Sequence, residues 1–426
     1  MKRLVMVAVL GSLILVACKH DHGSSDVKEQ WSFTNDPALI AIDPTNLGYL
    51  DTSVDDDGAV YKPELLRSYY ESHFAKLPLA GHLATIPWAS TYWPSKVGGI
   101  AAFWNLTADE EKELRGSNAM AAHPLTFKKF TEAEIRSMSL AQLARLSPAH
   151  KYEIYAGNFD FLSVNWERQR TSIETNDWEG LCDGWASAAL NFAAPKPVVL
   201  RGKTGIMVPF GASDIEALLI YYQSKIYRDN KKTRAKASTW RKVAAGQRCR
   251  EDLKKFPERA VSPECKGINA GSFHIILANR IGLNQQGVVI DVTRGEEVWN
   301  QPVYGYSSKT VKKDAPIYNT AAPNTAQIIE QETVLEYVQE SEAHWDNLGA
   351  KNADYLVKIT YRYNLELDAQ GNIIGGEWIS WDRPDYMSHR LRPPTFDGGI
   401  GHWTLIPEIY EQSLKVEGPV PNPVSE

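Results

Sequence analysis

The sequence lacks any surplus of positive charge, and that shortage excludes a large class of partners. It contains 46 Lys and Arg residues against 52 Asp and Glu residues, a formal net charge of -6, and the two signs are interspersed. Because no basic stripe is available to bind a phosphate backbone, we expect no nucleic-acid partner. The apolar run at the start of the chain, Leu4 to Leu15, is too short to span a bilayer.

The start of the chain is typical of a targeting segment. Lys2 and Arg3 precede the apolar run, which ends at residues 15–18 with small side chains directly before Cys18. This pattern resembles the lipobox of bacterial lipoproteins, in which the signal is cut before a cysteine that is then lipidated; an ordinary secretory signal is the alternative. The residue after Cys18 is Lys19 and not an aspartate, which resembles the sorting pattern of outer-membrane lipoproteins. We expect an outer-membrane lipoprotein of a Gram-negative bacterium, anchored by its acyl chains and facing the periplasm or the outside.

Cysteine is scarce, which restricts the disulfides that an exported chain could form. Of four cysteines, three follow Cys18. Cys249 and Cys265 enclose a polar segment with two prolines, and closing a loop of about fifteen residues is worth roughly 3 kcal/mol. We predict that they pair and that Cys182 stays a free thiol. The alternative is that Cys182 pairs with one of them.

Periodicity and composition predict an α+β fold. A helix is expected from Glu64 to Leu77, others start at the capping box of Thr131, at Ser147 and at Ser213, and one follows Cys182. Short strands are expected at residues 272–279 and 288–292, joined as a hairpin, and strict alternation over residues 355–367 predicts a half-buried antiparallel strand with a hairpin partner at 373–380. Helices followed by antiparallel strands define the α+β class.

The same features divide the chain into five regions. We expect a lipoprotein signal peptide at 1–17, a lipidated tether and linker at 18–60, a helical and aromatic-rich region at 61–130, a core with the candidate reactive residues at 131–345, and a β-rich region packed on that core at 346–426.

Cys182 stands where a reactive thiol would be expected. It lies between a turn containing Gly180 and a predicted helix, and a helix N-terminus favours the thiolate. His274 and Asp291 fall on the two strands of the predicted hairpin, so imidazole could move the proton while carboxylate holds the ring. Taken singly, each has a bland explanation: a buried thiol, a core histidine and a turn cap. Together they predict a Cys182, His274 and Asp291 triad.

Several segments then resemble the transglutaminase elicitor family. The similarity runs in the same order along most of the chain between about residues 80 and 400, at residues 92–94, 146–154, 178–187, 273–276, 291–304 and 375–378. The resemblance implies a papain-like or transglutaminase-like core in which Cys182, His274 and Asp291 fall on the family's triad. It further implies acyl transfer from a protein or peptide glutamine to an amine acceptor.

The oxyanion of such a reaction would be held by the backbone amide of Cys182 and by one upstream group. Trp178 is the first candidate, by resemblance to transglutaminases, and Asn176 the second, by resemblance to papain-like peptidases. A core tryptophan and a capping asparagine are the plain alternatives, and for Asn176 we favour the cap. No cofactor is required by this chemistry.

Two rival functions use the same residues. A cysteine peptidase or amidase, acting on peptide or peptidoglycan amide bonds, would share the triad and use water as the acceptor. A surface binding lipoprotein would keep the fold and have no activity. Intact Cys182, His274 and Asp291 argue against an idle site.

Calcium is the one cofactor that the sequence suggests, and only weakly. Asp55, Asp57 and Glu64 follow the spacing of an EF-hand loop, with Gly58 at the sharp turn. Ser53 replaces the first acid, so an acidic surface turn explains the segment equally well. No histidine pair has zinc-ligand spacing in a suitable context, and we predict no zinc site.

Overall fold

The structure, a computed structural model, describes residues 70–107, 126–226, 242–246, 248–262, 265–390, 396 and 401–424. The predicted signal peptide, Cys18 and the tether lie outside these residues. So do the candidate calcium ligands Asp55, Asp57 and Glu64. The predictions made for them therefore stay predictions.

Helices occupy most of the first half of the described chain, as the capping signals indicated. Thr131 Oγ1 accepts a hydrogen bond from Glu134 N at 3.2 Å, and Glu134 Oε2 accepts from Thr131 N at 2.7 Å, so the predicted capping box is confirmed. Ser147 caps the helix that begins at Pro148. The helices are α1 (Glu132–Ser137), α2 (Leu140–Ala144), α3 (Pro148–Ala156), α4 (Leu162–Arg170), α5 (Cys182–Asn191), α6 (Ala212–Tyr221), α7 (Ala270–Leu277) and α8 (Ile406–Leu414).

Strands dominate the second half and form one antiparallel sheet of eight strands. Its order is β4-β10-β5-β6-β7-β8-β9, with β1 paired to β6, while β2 and β3 form a separate hairpin. The strands are β1 (Ala80–His82), β2 (Val198–Arg201), β3 (Met207–Phe210), β4 (Lys242–Gly246), β5 (Val289–Asp291), β6 (Asn300–Lys312), β7 (Gln327–Val338), β8 (Leu356–Leu367), β9 (Ile373–Trp378) and β10 (Tyr386–Arg390).

The α+β class is confirmed, and so is the strand predicted from the alternation of apolar and polar residues over 355–367. β8 covers Leu356–Leu367, and Tyr361, Tyr363 and Leu365 on its predicted inner face are buried. Because β7 and β8 pair along their whole lengths, the strands on both sides of residue 345 belong to a single sheet. The predicted β-rich C-terminal region is thus continuous with the sheet of the preceding region.

Two local predictions are wrong. Residues 272–279 were expected to form a strand, but they lie in α7 and its π-helical continuation. An apolar run of this length fits either state, and the Asn269 side chain decides it by accepting hydrogen bonds from the N–H groups of Gly271 and Ser272. In the described part of the helix expected from Glu64 to Leu77, only a short 3-10 turn forms, at Phe74–Lys76.

Within the part of the chain that the structure describes, the buried apolar side chains form two clusters. One fills the space between helices α3, α5 and α6 and includes Trp185, which is fully buried. The other lies between α7 and the sheet and includes Phe273 and Tyr363. Helix α5 packs against β6 and β5, so its N-terminus lies where the helical half of the protein meets the sheet.

A buried ion pair ties α3 to α6 inside the first cluster. Lys151 Nζ lies 2.6 Å from Asp214 Oδ2, and both side chains are fully buried. The second oxygen of Asp214 accepts from Trp104 Nε1 at 2.9 Å, and Gly211 N donates to Oδ2 at 2.7 Å. The rings of Trp104 and Trp345 lie on the ammonium group. These contacts offset part of the cost of removing both charges from water, but burial still lowers the pKa of Lys151 and raises that of Asp214.

The predicted disulfide is confirmed. Cys249 and Cys265 are joined, with Cα atoms 4.4 Å apart and a sequence separation of 16, and Cys182 is a free, buried thiol. Arg294 donates to the carbonyls of Ala260 and Cys265, so the disulfide-closed segment is attached to the loop that follows β5.

Replacing both Cys249 and Cys265 with serine should lower the free energy of unfolding by about 3 kcal/mol, because the unfolded chain regains the freedom of an open loop. Urea titrations monitored by circular dichroism measure this. A reducing agent should destabilise the parent protein and leave the double variant unchanged. Equal midpoints for the parent with and without reductant would contradict a structural role of the disulfide.

Candidate active site

Cys182 is the first residue of α5, held there by close backbone packing. Leu181 N donates to Tyr92 O at 2.6 Å. A Cβ atom at Gly180 would lie 2.6 Å from Tyr92 O, and one at Gly184 would lie 2.4 Å from Ile220 O. Both glycines are therefore required for the close approach of neighbouring backbone.

The sulfur of Cys182 contacts the start of β6. Its S–H donates to Val298 O at 3.6 Å, and Asn300 Nδ2 donates to Sγ at 3.6 Å. The hydroxyl of Tyr386, the first residue of β10, donates to Asn300 Oδ1 at 2.8 Å. A helix N-terminus and two strands thus converge on one thiol that is only 7% exposed.

Burial controls the ionisation of this thiol. It raises the pKa of Cys182 to about 12, the negative charge of Asp183 adds to the rise, and the backbone and side-chain amides of Asn300 act in the opposite direction. In this conformation the helix N-terminus does not suffice to produce a thiolate at neutral pH. Desolvation is the larger effect here and outweighs the contribution of the helix N-terminus.

His274 lies on α7, inside the second core cluster. Its Nδ1 is hydrogen-bonded to the hydroxyl of Tyr363 at 2.8 Å, and its ring lies beside Phe74. Tyr363 in turn is bonded to Thr333 Oγ1 at 2.6 Å. The Nε2 atom is buried without a hydrogen-bond partner in the described structure. Burial lowers the pKa of His274 to about 4, so the ring is neutral at physiological pH.

Asp291, the last residue of β5, orders the loop that follows it. Its Oδ1 accepts from Thr293 Oγ1 at 2.9 Å and from Trp299 N at 3.0 Å. In the sheet Asp291 is directly opposite Asn300. Asp291 is therefore next to Asn300, the residue that contacts Cys182, and its hydrogen bond with Trp299 N fixes the backbone just before Asn300.

The predicted hydrogen-bonded triad is not formed in this structure. Cys182 starts α5, and Asp291 ends β5, one of the strands against which α5 packs. Within the described residues, His274 makes no hydrogen bond to either. The error follows from the helix: with residues 270–277 helical rather than extended, no hairpin places His274 beside Asp291.

In the described structure, neither Trp178 nor Asn176, the two predicted oxyanion donors, is hydrogen-bonded to Cys182. The ring of Trp178 lies under the guanidinium of Arg248, 5.1 Å from its centre, and Arg248 also donates to Glu296 O. Asn176 is exposed, and its Nδ2 donates to Glu179 Oε1 at 2.9 Å in a local turn. This contact belongs to a turn and is not the helix cap that the sequence favoured for Asn176, since the N-cap residue of α5 is Leu181.

Three residues of the site were missed by the sequence reasoning: Asn300, Tyr386 and Asp385. Asn300 stands in the segment 291–304 that carried the family resemblance, but no local pattern marks it, and Tyr386 reaches it only through the pairing of β10 with β5. Asp385 is buried, and its Oδ2 accepts from Cys249 N at 2.8 Å. Burial, reinforced by the charge of Asp291, raises the pKa of Asp385 to about 8.

The described residues contain no group of three His, Cys, Asp or Glu side chains placed to hold a metal ion. Among the helices of the same residues, none has the length and apolar character needed to cross a bilayer.

His274→Gln should leave the reaction of Cys182 with iodoacetamide at the parent rate, because the imidazole does not touch the sulfur. The same substitution should lower the free energy of unfolding by about 1–3 kcal/mol through the loss of a buried hydrogen bond. Alkylation kinetics and urea titrations measure the two effects, with Tyr363→Phe as the matched control. An alkylation rate about a hundredfold lower in His274→Gln alone would reinstate the triad.

Asp385→Asn should flatten the dependence of stability on pH. A raised pKa means that the folded state keeps the proton while the unfolded carboxyl loses it, so the contribution is complete below about pH 4 and is lost as pH rises toward 8. Thermal melts at several pH values in this range should show a decline in the parent that is smaller in Asp385→Asn. The exposed carboxylate of Asp382 provides the control, since Asp382→Asn should retain the parent's decline.

Comparison with known proteins agrees with the resemblance found in the sequence. The model of the transglutaminase elicitor family matches residues 64–393, more than half of the chain. The crystal structure of the GP42 transglutaminase from Phytophthora sojae has a similar fold, with a TM-score of 0.54, 20% sequence identity, and coverage of 81% of this chain and 94% of that one. No curated protein matches the sequence. The chain belongs to the transglutaminase elicitor family.

Proposed function

We propose that this protein is a protein-glutamine γ-glutamyltransferase that forms a thioester on Cys182 and passes the acyl group to an amine. The observation that carries the proposal is the state of the cysteines: Cys249 and Cys265 are paired, while Cys182 is a free thiol at a helix N-terminus that receives hydrogen bonds from Asn300. The family match and the fold similarity to a transglutaminase support it.

The reaction has two balanced steps. Cys182 Sγ attacks the carboxamide carbon of a glutamine, the C–N bond breaks, and the thiol proton leaves with ammonia. An amine then attacks the thioester, the C–S bond breaks, and the proton of the amine returns to sulfur. The net result exchanges ammonia for the amine. Water in the second step would give glutamate instead.

The conformation described is a covered state of this site. The thiol donates to Val298 O, and the neighbouring Trp299 packs edge-on against Tyr92 with ring centres 5.3 Å apart. A glutamine side chain therefore reaches the sulfur only after the segment at Val298 and Trp299 has moved. Access would also restore water to the thiol, and with it the lower pKa of an exposed cysteine.

The role of His274 in this proposal depends on the same movement. The family resemblance assigns it the proton transfer, with Asp291 as the third member of the triad. In the covered state its ring is held by Tyr363. His274 would take part only in a state in which α7 or α5 has shifted, and the alkylation experiment described above separates that state from a purely structural histidine.

The remaining features of the proposal come from the sequence. The substrates are a protein or peptide glutamine donor and an amine acceptor, and no nucleic acid takes part. Lipidated Cys18 would anchor the protein in the outer membrane of a Gram-negative bacterium, facing the periplasm or the outside. No cofactor is required, and calcium at Asp55, Asp57 and Glu64 remains a weak candidate.

The purified protein should incorporate a dye-labelled primary amine into a glutamine-rich donor protein, and Cys182→Ala should abolish the incorporation because the thioester cannot form. Fluorescence of the glutamine-donor protein on a gel measures the transfer. Ser187→Ala, on the same helix and equally buried, is the matched control and should keep the activity.

Two outcomes would favour the rival functions. Ammonia release or peptide cleavage that depends on Cys182, without amine incorporation, would favour the amidase or peptidase. Neither reaction, together with a thiol that reacts no faster than a free cysteine, would favour a binding lipoprotein without activity.

A further inference from the structure

We propose that Asn300 is a second catalytic group of this site, which donates its side-chain N–H to the negative charge that develops on Cys182, and that Tyr386 is its positioning residue. This inference rests on the proposed function of Cys182 as a nucleophile. It places a donor at the sulfur itself, a role different from that of the oxyanion donors that the sequence reasoning predicted at Trp178 and Asn176.

The orientation of the Asn300 amide is determined by its contacts. The S–H of Cys182 is directed to Val298 O, so the sulfur can only accept from Asn300, and the nitrogen of the amide must face it. The hydroxyl of Tyr386 donates to the opposite end of the amide, Oδ1, at 2.8 Å. Together with the S–H directed at Val298 O, Tyr386 thereby favours the orientation in which the amide nitrogen faces the sulfur.

Burial makes this donor effective. Asn300 is 2% exposed and Tyr386 is 6% exposed, so water does not compete for the amide hydrogen. Preorganised donors in a water-excluded site stabilise developing charge far better than donors in solution. The backbone N–H of Asn300 also acts on the sulfur and lowers the pKa of the thiol together with the side chain.

The other charged groups that face the sulfur oppose its ionisation. Asp183 on α5 and Glu340, which follows β7, both raise the pKa of Cys182, and Tyr92 and Tyr386 are neutral phenols at physiological pH. Negative charge on the sulfur thus depends on the amides of Asn300 and on the N-terminus of α5. Trp178 is engaged with Arg248 instead.

Asp291 completes this arrangement from the neighbouring strand. It is opposite Asn300 in the sheet and accepts from Trp299 N, one residue before Asn300. The backbone that carries the amide is therefore fixed on one side by Asp291, while the amide itself is fixed on the other by Tyr386. This gives Asp291 a positioning role that does not require contact with His274.

The test is the pH profile of Cys182 alkylation by iodoacetamide, measured on the full chain. Because thiolate is the reacting species, Asn300→Leu should lower the rate by about tenfold to a hundredfold at every pH below the pKa of the thiol, the range expected for a lost hydrogen bond to a charged group. Tyr386→Phe should lower it in the same direction by less. Tyr363→Phe, which removes an equally buried hydroxyl away from the sulfur, should not change it.

The direction of the change separates a catalytic donor from a merely structural residue. If Asn300 and Tyr386 only held the fold together, their substitution would loosen the cover over a buried thiol and make alkylation faster. Rates equal to or above those of the parent in both variants would overturn the proposal. Tyr386→Phe keeps the test valid if Asn300→Leu does not fold, since it removes a single oxygen.

This result is independent of the transferase assay. If the parent transfers no amine but the two variants alkylate more slowly, the proposed function fails and the role of Asn300 stands. If the parent transfers amine and the variants alkylate at the parent rate, the proposed function stands and the role of Asn300 is overturned.

Discussion

The contact between the N-terminus of α5 and the first residue of β6 is the point on which the site depends. On one side of it lies the helical core around Trp185, and on the other lies the core between α7 and the sheet. Cys182 and Asn300 meet between the two, each held by its own half of the protein. The thiol and its hydrogen-bond donor thus come from elements that pack into different apolar clusters, and the hydrogen bond between them joins the two.

Desolvation is the largest cause of the pKa shifts of three buried groups, Cys182, Asp385 and His274. It raises the pKa of Cys182 and of Asp385, and it lowers that of His274. All three shifts favour the neutral form, as expected for groups removed from water without a compensating charge. In the described conformation all three groups are therefore neutral at physiological pH near 7, except for the fraction of Asp385 that ionises below its raised pKa.

Local features could be predicted from the sequence, and features set by the pairing of distant strands could not. Two of the confirmed features depend on residues near one another in the chain: the capping box at Thr131 and the start of α5 at Cys182. The Cys249–Cys265 disulfide could be predicted because so few cysteines leave few possible pairings. His274 was misplaced because an apolar run of eight residues fits a helix as well as a strand, and the cap at Asn269 was overlooked. Asn300 and Tyr386 carry no local signal, since sheet register alone brings them together.

The fully buried pair of Lys151 and Asp214 has a consequence for how this family can vary. Loss of either partner leaves an uncompensated charge buried beside the rings of Trp104 and Trp345. Such a loss lowers the free energy of unfolding by about 3–5 kcal/mol, which few domains tolerate. Exchanging both for well-packed apolar side chains is close to neutral by comparison. Relatives of this chain should therefore carry either the acid and the base together or neither, and the two positions should covary across an alignment.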